Sequence, residues 1–267
     1  MYFTAVKKLI AVFYLIGAVA MAQNNVVSQK LVCDTFHGVD DFNRIYYSID
    51  QTLYKKSTQE TQQFFDVQLG DIHHVDLINP LKILVFYQDS QTIVILDNRL
   101  NEQFRLDLST LNPQRYIQEA RLAGERRLWL FNADVSQIEL YDYINNRLIV
   151  SSIPIKSNIH DLATDYNFCH VITDQWVISF NAYGSKTSKI EFDRIDHFAF
   201  DFERLLVHTD SGWSGYYFDR EFRFRESEIN TSSLPKMNIE SLYLKAGKLY
   251  ICHNDQLEIY PINLKKE

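Results

Sequence analysis

The sequence is short of glycine, cysteine and positive charge, and each shortage removes a class of protein. Its 267 residues include only 8 glycines, and no Gly-rich phosphate loop, GxSxG elbow or HExxH metal site occurs. The three cysteines, Cys33, Cys169 and Cys252, lie too far apart in sequence for a disulfide scaffold or a CxxC redox centre. An odd count leaves at least one thiol unpaired within the chain. Lys and Arg number 27 against 34 Asp and Glu, a formal charge of −7, so there is no electrostatic footprint for nucleic acid. A sustained 3.6-residue apolar rhythm is missing as well, which argues against helices. The one long apolar run, Leu9 to Val19, is shorter than the roughly 20 residues that span a bilayer.

That run follows Lys7 and Lys8 and leads to Ala20-Met21-Ala22, with small side chains where a signal peptidase reads. The pattern predicts a secretory signal peptide over residues 1–22. No cysteine follows it for lipid attachment. The expected mature chain starts at Gln23, has 245 residues (267 less 22), carries a formal charge of −9 and contains no transmembrane segment. Its expected place is the periplasm or the cell surface. Abundant Phe (18) and Tyr (16) call for a packed core.

What the sequence does have is a repeat. Phe36-His37-Gly38-Val39, Ile72-His73-His74-Val75, Ile117-Gln118-Glu119-Ala120, Ile159-His160-Asp161-Leu162, Ile195-Asp196-His197-Phe198 and Ile239-Glu240-Ser241-Leu242 all read apolar, polar, polar, apolar. Spacings of 36 to 45 residues match one four-stranded propeller blade. After each start comes a second apolar run, such as Arg127-Leu128-Trp129-Leu130-Phe131. A third run often opens at glutamine, as at Gln91, Gln137 and Gln256; then come a turn and a weaker fourth run. The runs are short, β-branched and aromatic, and bounded by Asn, Asp and Gly, which is strand chemistry.

The reading is therefore an all-β, six-bladed β-propeller with about four antiparallel strands per blade, five or seven blades being the alternatives. The sixth copy ends one strand short near Leu264, and a spare strand precedes the first copy. Residues 23–35 are thus expected to supply the strand that closes the ring, and residues 36–267 the propeller itself. In that register Cys33 and Cys252 lie two strand spacings apart, roughly 9–10 Å, beyond disulfide reach. No disulfide is expected, and all three thiols should be free.

The segment Val67-Gln68-Leu69-Gly70-Asp71-Ile72-His73-His74-Val75-Asp76-Leu77-Ile78-Asn79-Pro80-Leu81-Lys82, with Leu96-Asp97-Asn98-Arg99-Leu100-Asn101-Glu102, resembles an uncharacterised propeller family of exported Bacteroidetes proteins. The resemblance covers nearly all of the mature chain. It implies the fold and an envelope location and carries over no functional residues. The Trp-Asp signature of WD repeats and the double glycines of Kelch repeats are absent.

The first strand of each blade lines the central channel, so the polar pairs opening the repeats form the candidate ligand ring: His37, His73, His74, Glu119, His160, Asp161, Asp196, His197 and Glu240. Imidazoles and carboxylates of this kind hold Zn²⁺ or a polar solute, although polar residues also line any wet channel. No catalytic residue is assigned and no cofactor is expected beyond a metal at the channel mouth. His208 with Asp210 and Ser211, and His253 with Asp255, sit where strands turn and read as turn formers. The alternating Asp219–Glu226 stretch reads as edge protection, and Trp213 as a core residue. The sequence thus points to binding, with a protein partner in the envelope. The rival is a metal- or small-ligand-binding propeller, lactonase-like at its furthest, working through the His/acid ring.

Overall fold

A computed structural model describes residues 26–231, 234–235 and 239–263. The expected signal peptide, residues 1–22, lies outside them. A short strand, β1 (Val27–Lys30), comes first. Blade 1 is β2 (Thr35–Val39), β3 (Ile45–Ile49), β4 (Thr52–Lys56) and β5 (Thr61–Phe64). Blade 2 is β6 (His74–Asp76), β7 (Ile83–Tyr87), β8 (Thr92–Leu96) and β9 (Glu102–Asp107). Blade 3 holds β10 (Ile117–Leu122), β11 (Arg127–Asn132), β12 (Gln137–Asp142) and β13 (Arg147–Ser151). Blade 4 holds β14 (Ile159–Thr164), β15 (Phe168–Thr173), β16 (Trp176–Asn181) and β17 (Lys186–Glu191). Blade 5 is β18 (His197–Asp201), β19 (Arg204–Thr209), β20 (Gly212–Phe218) and β21 (Phe224–Ser227). Blade 6 has β22 (Ser241–Lys245), β23 (Lys248–His253) and β24 (Gln256–Pro261).

Each blade is one antiparallel sheet of four strands in chain order, and β1 completes the sixth as its outer strand. It pairs antiparallel with β24, from Val27 opposite Ile259 to Lys30 opposite Gln256. The blade count is six, not five or seven. Among the described residues no helix is long and apolar enough to cross a membrane.

The core is divided among the blade interfaces. Tyr46, Leu53, Val75 and Val85 fill the space between blades 1 and 2; Phe86, Ile95, Ile117 and Leu130 that between 2 and 3. Trp129, Leu140, Leu162 and Phe180 join blades 3 and 4, and Ile172, Val177, Leu205 and Val207 join 4 and 5. Leu206, Leu244 and Ile251 join blades 5 and 6, and Phe36, Val39, Tyr250 and Leu257 bring blade 6 back onto blade 1. In blade 2 the second and third strands are buried on both faces, which is why they read as near-continuous apolar runs, whereas those of blade 1 alternate.

The expected separation of Cys33 and Cys252 is wrong. Their sulfurs are 3.9 Å apart, and all three cysteines are free thiols. The reason is that β1 stops at Lys30 instead of running on towards Thr35. The Leu31 N–H bonds to the Asp255 carbonyl, and the chain then crosses the turn at Asn254 and Asp255 towards blade 1. The crossing brings Cys33 over the second strand of blade 6.

Candidate functional site

Every blade enters the ring on its first strand at one end of the channel, the entry end. The turns from first to second and from third to fourth strand then lie at the opposite, far end. Two consecutive polar residues cannot both follow a two-residue strand rhythm. In blades 1, 3 and 4 the conflict produces a β-bulge at His37, Gln118 and His160. In blades 2, 5 and 6 the strand simply starts later, at His74, His197 and Ser241. The predicted ring is accordingly split.

Part of it converges. His73 Nε2 lies 2.7 Å from Glu119 Oε1, and Glu119 Oε2 accepts from Arg121 at 3.0 Å. Arg121 also pairs with Asp161 and donates to the backbone carbonyls of Ala120 and Leu162. Arg121 and Glu119 are both 3% exposed. His37, His73, His74, Asp161, Asp196 and His197 face one cavity of about 360 Å³. The rest diverges. His160 pairs with Asp174 in the open. Glu240 accepts the Asn254 N–H at 3.1 Å at the surface, and neither residue faces that cavity.

Burial sets the electrostatics. It holds the His37 imidazole down to about 4 and pushes the Asp161 carboxyl up to about 6 against the pull of Arg121. Burial, then the charges of Arg121, His37 and His73, keep His74 well below the ordinary histidine value. His37 and His74 are neutral at pH 7, and the central cation is the Arg121 guanidinium. Among the described residues no three His, Cys, Asp or Glu side chains group as metal ligands.

The residues missed by the sequence reading lie farther along the same strands. Arg121, Asp76, Asp201, Tyr243 and Lys245 all line the cavity. They stand two or four residues after the third motif position, so continuing the two-residue rhythm inward would have found them. Asp76 accepts the Ile78 and Leu122 N–H groups at 2.9 and 2.7 Å, reaching from blade 2 to the inner edge of blade 3. Gly38 fills the third motif position of blade 1 with φ +136°, and a Cβ there would stand 2.7 Å from the Tyr243 ring. Glycine at this point lets the tyrosine occupy the channel.

The far end has a different chemistry. Asn or Asp side chains at 40, 79, 142 and 181 each accept the N–H two residues on, at 2.9–3.1 Å, making turns whose apices are Phe42, Leu81, Ile144 and Tyr183. Those four are 53–84% exposed. Tyr166 and Phe202 stand on the inner turns of blades 4 and 5, so four of six inner turns carry an exposed large apolar side chain. The turns touch: Lys245 Nζ is 2.8 Å from Asp41 and 5.6 Å from the centre of the Phe202 ring. The entry end has exposed apolar residues as well, but they are spread over the periphery: Ile49 and Val135 at turns between second and third strands, and Phe65, Val67 and Ile153 on the connections between blades.

Neither a protein-family model nor a curated protein matches the sequence. Solved structures match its shape. A chain of the Mitotic Checkpoint Complex aligns with a TM-score of 0.61 at 8% identity, covering 89% of this chain and 90% of that one. The Cps50 (Swd1) β-propeller domain of Myceliophteria thermophila aligns with a TM-score of 0.61 at 10% identity, covering 89% of this chain and all of that one. The RRP9 WD40 repeats give 0.59 at 9% identity, covering 91% and 98%. The likeness is one of fold. The shared fold is the β-propeller, and the Trp-Asp signature of WD repeats is absent from this sequence.

The His208 ring packs against Trp213 at a tilt of 56° with ring centres 4.8 Å apart, and the Trp213 indole donates to the Pro235 carbonyl at 2.8 Å. On the outer edge of blade 5, Arg225 pairs with Asp219 and Glu221.

Proposed function

We propose that this chain is a non-catalytic interaction propeller. It docks a protein partner on the far end of its ring, as an accessory or scaffold subunit of a bacterial envelope assembly. The observation that carries the reading is the far rim, where Phe42, Leu81, Tyr166 and Phe202 surround the channel mouth with Ile144 and Tyr183 outside them. Exposed aromatic clusters of this kind mark interaction surfaces. The charges beside them are neutralised by one another, Lys245 by Asp41 and Lys82 by Glu125, each at 2.8 Å. A rim of apolar tips with paired charges suits an apolar protein surface and not a phosphate-bearing polymer. The basic and apolar start of the sequence and the resemblance to exported Bacteroidetes propellers support a periplasmic or cell-surface location.

The test is a pull-down of the tagged mature protein from detergent-solubilised envelopes of its own organism, read by mass spectrometry. The wild type is compared with a far-end variant, Phe42→Asp with Phe202→Asp, and an entry-end variant, Val135→Asp with Ile153→Asp. One or two stoichiometric partners should be lost at least tenfold with the first variant and kept with the second. Recovery of the propeller alone, or equal capture by both variants, would sink the reading.

A second reading is favoured by one observation, the cavity of about 360 Å³ lined by His37, His73, His74 and Asp161. That volume falls in the range of small-molecule sites. A polar solute or a metal bound there is what titration calorimetry would look for if no partner is recovered.

A further inference from the structure

Cys33 and Cys252 come from opposite ends of the chain and meet where the ring closes. Their sulfurs are 3.9 Å apart, and a disulfide requires about 2.0 Å. Cys33 is half-buried on the link between β1 and β2, outside any strand, and bond formation requires the two sulfurs to approach by about 2 Å. Cys252 is 3% exposed on β23. Around them pack Leu31, Phe36, Tyr250 and Leu257.

The position matters because the closing strand is weakly held. All four residues of β1 are exposed, and it is joined to the sheet by four residue pairs. Its one buried anchor is Leu31, 3% exposed, immediately after it. The third thiol, Cys169, is fully buried on β15 in the packing between blades 3 and 4. One pair and one sequestered thiol account for the odd count.

We propose that Cys33 and Cys252 form a redox pair whose disulfide locks the closing strand to blade 6, with a small-molecule or protein disulfide as the oxidant. Cys33, the accessible partner, takes up one half of the oxidant as a mixed disulfide and releases the other half as a thiol. The Cys252 sulfur then displaces the remaining half, forming the Cys33–Cys252 bond. Two protein thiols are oxidised, one oxidant disulfide is reduced to two thiols, and the two protons pass to those thiols. The inference rests on the sulfur geometry and is independent of what docks on the far end.

The experiment uses the full mature chain purified under reducing conditions and equilibrated with oxidised glutathione. Free thiols are counted by alkylation and the linkage is mapped by mass spectrometry. Free thiols should fall from three to one, with a Cys33–Cys252 peptide. The melting temperature should rise by on the order of 10 °C, because the bond closes a loop of most of the chain. Dithiothreitol should reverse both changes, and Cys33→Ser should show neither. Three thiols persisting in fully oxidised glutathione, a product that stops as a glutathione adduct, or an intermolecular link would each overturn the pair. A bond formed with no change in melting temperature would overturn the lock.

Discussion

Arg121 is the residue on which the channel's polar network turns. It is buried between two carboxylates, Glu119 and Asp161, and its remaining donors reach the carbonyls of Ala120 and Leu162. The Leu162 carbonyl belongs to the inner strand of blade 4, whose channel-facing edge has no neighbouring strand. The guanidinium thus does two jobs at once: it compensates buried charge and it satisfies an open sheet edge. Arg121→Met removes both and leaves Glu119 buried without its cation. The expected loss is about 3–5 kcal/mol of unfolding free energy, measured by urea denaturation. Arg121→Lys keeps the charge but not the planar fork that reaches several acceptors, and should restore less than half of that loss. A loss under about 1 kcal/mol for the methionine variant would mean that the carboxylates are solvated through the channel.

The glutamine that opens the third run shows how a sequence signal becomes a contact between elements. Gln91, just before β8, accepts the Ile117 N–H at 2.8 Å and donates to the Ile117 carbonyl at 2.7 Å. Its side chain acts as a one-residue strand that clips blade 2 to the start of blade 3. Gln91→Ala leaves both Ile117 groups buried and unpaired, at an expected cost of about 1–3 kcal/mol. Hydrogen exchange at the Ile117 amide should accelerate with it; unchanged protection there would show that the clip is dispensable. The glutamines and the motif were visible in the sequence because they recur. The bulges were not, since the four-residue motif records only that two polar residues stand side by side. Whether a strand bulges or starts late decides where His160 and Glu240 point, and that depends on the partner strand. The boundary of β1 was hidden for a related reason. Val27-Ser28-Gln29-Lys30 is exposed throughout and has no apolar alternation to mark it, while the more apolar Leu31-Val32-Cys33 that follows is the crossing link.

At the scale of the whole ring, stability depends on six interfaces at once, and the one between blades 4 and 5 contains a buried histidine. His170 is fully buried between blades 4 and 5, its Nδ1 2.8 Å from Ser179 Oγ, with Phe200, Phe218 and Phe224 rings centred 4.8–5.0 Å away. Burial holds it down to about 3, and His37 to about 4. In the unfolded chain both titrate near 6.5. Below that pH the unfolded state takes up protons that the native state refuses, so acidification destabilises the fold. The slope is at most about 1.4 kcal/mol per pH unit for each histidine. Asp161 acts in the opposite sense. Its folded value is raised to about 6, so the native state holds the extra proton between there and the ordinary aspartate range, which offsets part of the loss as pH falls through that window. His74 and His197 are lowered as well, and Asp76, Asp165 and Asp201 are raised, so both senses operate across the ring and the share of one histidine is isolated by removing it. His170→Phe extends the surrounding aromatic packing and removes one titrating group. Its unfolding free energy, measured by denaturant titration across pH 4–8, should fall by up to about 1.4 kcal/mol less per pH unit than that of the wild type. Parallel curves for the two proteins would mean that the blade 4–5 interface opens enough at low pH to protonate His170 without unfolding the ring.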